Sequence, residues 1–202
     1  MGGSIVASVA IYGWWDTLVS GMKTYWQTGS HSLPNSINAT QVSTAALPLY
    51  IEGFTTTLGD RPRTGRPVLD TNTSGMVLRD YWVIRNVEIE NTSGSSASTL
   101  TAGEYCILED VMVTAKNVGV GLTDNGTTAG FKAIHCEFKS TNGHAVSVGG
   151  PNHCFIGCTF DGGAGSYGVN MGGAVTGGNS NEFFDCIFKN GATGGALIAT
   201  TT

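Results

Sequence analysis

One five-residue pattern returns along the chain from residue 81 on: RNVEI ending at Ile89, EDVMV at Val113, IHCEF at Phe138, IGCTF at Phe160 and FDCIF at Phe188. Aligning Val87, Val111, Cys136, Cys158 and Cys186 gives spacings of 24, 25, 22 and 28 residues, inside the range of roughly 20 to 50 that marks stacked supersecondary units. Within each copy the apolar residues alternate, as in Val111/Val113 or Cys136/Phe138, so each copy reads as a strand with one buried side. A second alternating stretch precedes the later copies: Val118, Val120 and Leu122, then Val146 and Val148, then Tyr167, Val169 and Met171, with a similar run at Ala196 to Ala199. Each coil therefore supplies at least two strands.

Between these strands lie Gly, Asn, Asp, Ser and Thr, as in TDNGTTAG and DGGAGS, residues that supply positive φ or close local turns. With 30 Gly and only 12% charged residues, the chain has turn-and-strand chemistry and no room for a helix in each coil. That separates it from a leucine-rich repeat, whose period overlaps this one but whose coils are Leu-rich. The expectation is an all-β, single-domain parallel β-helix, with coils over 47–202 and an N-terminal cap or docking segment over 1–46.

These coils resemble the parallel β-helix repeat proteins, the group of pectate-lyase-like enzymes and phage tailspikes. The resemblance implies right-handed winding. The stretch LPLYIEGFTTTLGDRPRTGRPVLD, Leu47 to Asp70, is similar to the first coil of such proteins. Ahead of it Trp15, Leu18, Val19, Met22 and Trp26 fall at i, i+3, i+4, i+7 and i+11, one face of a short helix expected to cover the solenoid end, since an open end exposes core and unpaired backbone.

Net charge is −5 and the basic residues cluster only at Arg61, Arg63 and Arg66, which excludes nucleic acid as a partner. No stretch is apolar enough for about 18 residues to predict a membrane span. No Lys or Arg precedes Lys23, so a secretory leader lacks its basic start. Five Cys without a CxxC pair indicate neither a disulfide framework nor a zinc ribbon; Cys136, Cys158 and Cys186 share the inward column and are expected as free buried thiols. No cofactor is expected.

Three groups of residues bear on function. Glu88 and Glu90 share an outer face and Glu137 repeats the Glu88 position two coils on, with Met112 between; three clustered carboxylates are the candidate for a hard cation. GHAVSVGG, Gly143 to Gly150, and TDNG, Thr123 to Gly126, partly resemble two polygalacturonase motifs. That resemblance implies an acid at Asp124 and a supporting imidazole at His144, while the paired Asp and the Arg-Ile-Lys of those enzymes are missing. The third group is a wall of small outward residues, Gly119 and Gly121, Ala145 and Ser147, Gly168 and Asn170, with outward Met112 and Ile187 on the other wall. Small and apolar outer walls suit close approach by a neighbouring chain.

The expectation is a non-catalytic phage virion protein: a homotrimeric capsid decoration (cement) or tail-associated protein, assembled in the host cytoplasm, contacting capsid or tail proteins and a host surface glycan. The trimer rests on the resemblance alone. The alternative is a secreted polysaccharide lyase or glycoside hydrolase, or a carbohydrate-binding module.

Overall fold

A computed structural model describes residues 20–33, 37–38, 43–57, 59–60, 64–72, 75–92, 98–116, 121–124, 129–164, 167–171, 180–191 and 194–198. They form a parallel β-solenoid of three seven-stranded sheets. The first sheet runs from Lys23–Gln27 and Leu49–Phe54 through Trp82–Arg85, Ile107–Glu109, Lys132–Ile134 and Cys154–Ile156 to Glu182–Phe184. The second contains the repeat strands Glu88–Asn91, Met112–Ala115, Glu137–Ser140, Thr159–Asp161 and Ile187–Lys189, preceded by Ser30–Ser32 and Val68–Asp70. The third runs from Ile37–Asn38 and Met76–Val77 through Leu100–Ala102, Leu122–Asp124 and Val146–Ser147 to Tyr167–Met171 and Gly194–Ile198. Each coil thus contributes three strands, one more than the minimum read from the repeat.

The strands pair in parallel, so equivalent residues stack in columns: Leu69, Ile89, Val113, Phe138, Phe160 and Phe188 line the second sheet, and Met76, Leu100, Leu122, Val146 and Val169 the third. Toward the later coils the filling becomes aromatic. Phe160 stacks on Phe138 at 5.6 Å and on Phe188 at 5.1 Å, while Phe155 stacks on Phe183 at 5.0 Å.

The corner from first to second sheet depends on one left-handed residue per coil: Asn86, Asp110, His135, Gly157 and Asp185, with φ between 51° and 60°. Asn, Asp and Gly tolerate this region best. The turn swings the next residue inward, which is why Val87, Val111, Cys136, Cys158 and Cys186 form the predicted column, the first four of them buried and Cys186 packed partly exposed at its end. At the same corner Asn86 donates its Nδ2 to the Gly53 carbonyl at 2.9 Å, and a Cβ on Gly53 would lie 2.0 Å from the Asn86 carbonyl oxygen, so only glycine fits there.

The N-terminal expectation needs correction where it is described. Trp15, Leu18 and Val19 lie outside the described residues, but Trp26 is in the strand Lys23–Gln27, paired with Gly53, and Met22 immediately precedes it. These two therefore belong to a coil and not to a helical face. Tyr25 and Trp26 sit on opposite sides of this strand as period-2 geometry requires, and Trp26 is buried against the core. Coil structure accordingly extends back to Lys23.

Candidate functional site

Asp124 ends the strand Leu122–Asp124 on the same side as buried Leu122, and pairs in register with the buried Ala102. A carboxylate in that corner must be matched by donors, and it is. It accepts from the Gly149 N–H at 3.0 Å, from the Gly150 N–H at 2.7 Å and from His153 Nε2 at 3.0 Å. The side chains of Asp124 and His153 are 3% and 0% exposed. His153 in turn packs edge-on to Phe131, and its backbone N–H donates to Asn181 Oδ1 at 2.7 Å; Asn181 Nδ2 donates to the Gly150 carbonyl at 3.2 Å. Donation to the carboxylate places a proton on Nε2, while Nδ1 is buried with no partner among the described residues. The pair and its glycines form a closed lock on the turn over 149–153, with both side chains buried.

His144, the imidazole expected to support Asp124, has other partners. Its ring stacks on Tyr167 at 5.8 Å, its Nδ1 accepts from the Tyr167 N–H at 3.2 Å, and its Nε2 lies 3.3 Å from Asn170 Nδ2. The imidazole on Asp124 is thus that of His153, and His144 belongs to the neighbouring Tyr167 and Asn170. His153 carried no motif, but it stands immediately before a first-sheet strand, where the preceding coils hold buried Cys106 and Phe131.

Two carboxylates of the second sheet, Glu90 and Glu137, are matched by lysines. Register confirms the column Glu88, Met112, Glu137, Thr159, Ile187. Glu90, 8% exposed, pairs with Lys116, and Glu137 with Lys139 at 2.9 Å. Burial, then the neighbouring Glu90, push the Glu88 carboxyl up from its ordinary value. The hydrogen bond to Glu90 raises the Lys116 ammonium. Among the described residues no group of three His, Cys, Asp or Glu is placed to hold a metal.

The small-residue wall is corrected in direction. Gly119 lies outside the described residues. Ala145 is 0% exposed and belongs to the core, and Gly121 and Gly168 are buried. A Cβ on Gly121 would meet the Ala145 carbonyl oxygen at 2.5 Å and the Lys139 carbonyl oxygen at 3.1 Å. Gly121 is small because backbone meets backbone in the corner between the second and third sheets. Ser147 and Asn170 are partly exposed. Met112 and Ile187 do face outward, Ile187 with 54% exposure.

The first sheet adds an outward column that the sequence reading missed: Arg85, Glu109, Ile134, Ile156 and Phe184. The column continues back through Glu52 to Tyr25, and this polar part carries the Arg85–Glu109 ion pair at 2.8 Å. Its later end is apolar, with Phe184 51% exposed. The signal was present as alternation within Phe131 to Ile134 and Cys154 to Ile156, where apolar residues occupy both sides of the strand.

All five cysteines are free, as expected. Burial pushes the Cys106 thiol up to about 12 and the Cys136 thiol well up also, so both are inert hydrophobes at neutral pH.

No family model, no curated protein and no solved structure matches the chain. The parallel β-solenoid itself is therefore established by its own register and columns.

Proposed function

We propose that this chain is a non-catalytic structural protein of a phage virion, a trimeric β-helical capsid decoration or tail-associated protein. The observation that carries the proposal is the outer wall around Ile134, Ile156, Phe184 and Ile187. Exposed apolar groups gathered on adjoining faces are what a protein contact needs and what a solitary domain gains little by keeping.

The non-catalytic part is supported by the use to which the chemistry-bearing residues are put. Asp124 and His153 lock a turn, His144 holds Tyr167 and Asn170, and Glu90 and Glu137 are paired with lysines. The virion, the trimer and a host glycan as ligand are supported by resemblance to tailspike-like solenoids and by nothing finer. The fold serves a lyase or hydrolase equally well, so the experiment is direct. Purified protein is incubated with acidic polysaccharides, with and without calcium, and unsaturated and reducing ends are assayed. No product is expected; turnover that disappears in Asp124→Asn would overturn the proposal.

A further inference from the structure

Met112 interrupts the acidic column, and it lines a pocket of about 220 Å³ on the outer face of the second sheet. Its lining includes Arg66, His135, Glu137 and Thr159 around Met112. Arg66 comes from the turn before Val68, and its Nε is buried with no hydrogen-bond partner among the described residues. Other cations of this face are satisfied, Lys116 by Glu90 and Lys139 by Glu137. His135 stands exposed on the opposite wall, and its ring lies over Gly157, where a Cβ would approach within 2.7 Å. The glycine leaves that ring its place.

A guanidinium with an unused donor, an imidazole and a hydroxyl around an apolar floor make a small polar-lined site. Arg presents a planar fork that matches a carboxylate bidentately. Glu137 in the wall, with Glu88 in the same column, disfavours a dianion such as phosphate, whereas a single carboxylate competes with Glu88 alone for the Arg66 charge that acts on it. We propose that this pocket binds a carboxylate carried on a small, partly apolar frame, with Arg66 on the carboxylate, Met112 against the frame and Thr159 and His135 on its polar groups. Such a group is presented equally by a free organic acid or by a uronic acid unit of a glycan. The pocket borders Ile187 of the outer wall proposed above, but binding of a small acid is read without reference to any subunit contact.

The test is a titration followed through the His135 ring resonances by NMR, at constant pH and ionic strength, with propionate, glucuronate, glucose and inorganic phosphate as separate probes. Propionate and glucuronate are expected to move His135, with glucose and phosphate without effect. A clear preference for glucuronate assigns the glycan source, and equal affinity the free acid. Arg66→Gln should weaken binding by about 10- to 100-fold, the worth of a charge-assisted hydrogen bond. Thr159→Gln, on a different coil, should weaken it by filling the same volume. Silence of His135 toward both carboxylates up to tens of millimolar, an equal response to glucose or phosphate, or undiminished binding by both variants would overturn the proposal.

Discussion

Replacing Asp124 distinguishes a structural lock from a catalytic pair. Asp124→Ala strips the acceptor from three donors, the Gly149 and Gly150 N–H groups and the His153 ring N–H. Each buried donor left unpaired costs about 1–3 kcal/mol. Taking the low end, because the vacated carboxylate volume admits water, gives a loss of about 3–5 kcal/mol, in the range for breaking a buried pair. His153→Phe removes only one donor, leaves the two glycine bonds in place and keeps a ring against Phe131, as in the preceding coil; its expected cost is about 1–2 kcal/mol. Urea unfolding followed by circular dichroism reads the difference. With a slope of about 2–3 kcal/mol per molar, Asp124→Ala should lower the midpoint by about 1.5 M and His153→Phe by about 0.5 M. Catalytic groups are commonly held at a cost to stability, so removing one leaves stability unchanged or improved. Equal midpoints for both variants, or an Asp124→Ala protein as stable as the parent, would refute the lock.

Three further outcomes follow from the packing. Phe160→Ala, which removes the ring stacked on both Phe138 and Phe188, should cost about 3–5 kcal/mol in the same unfolding assay. Gly121→Ala should cost about 1–3 kcal/mol, because backbone carbonyls and not a flexible side chain stand in the way of its Cβ. At alkaline pH the unfolded Cys106 thiol ionises from about 9 while the folded one holds its proton to about 12. The folded state then binds more protons, so stability is intact below pH 9 and falls by on the order of 1 kcal/mol per unit as pH rises through that window. Cys106→Ala should flatten this part of a stability–pH curve, and a thiol reagent at pH 8 should leave Cys106 unmodified in the native protein.

The coils were legible because their signal is periodic and local. Val87 through Cys186 announce the corner, and Asn86, Asp110 and Gly157 are the residue types that a left-handed corner selects. The first coil was not legible, because Trp15 to Trp26 also satisfies helical spacing, and a five-residue strand such as Lys23–Gln27 offers too few residues to decide between periods. Alternation predicted the inward faces of Val146, Val148 and Val169 but failed at Ala145, which is buried directly before the buried Val146. The Asp124–His153 pair joins residues 29 apart across two coils. Stacking fixed that encounter, and no single-coil motif encodes it. The lysine partners of Glu90 and Glu137 were hidden for a related reason: Lys116 reaches back from beyond its strand, and Lys139 lies in the adjacent column.

The most direct test of the proposed role is the solution mass of the purified chain by light scattering, measured for the parent and for the double variant Ile156→Glu/Phe184→Glu. A trimer that falls apart when charge is placed on the outer apolar wall is the predicted result. A parent chain that is monomeric across the concentration range would contradict it.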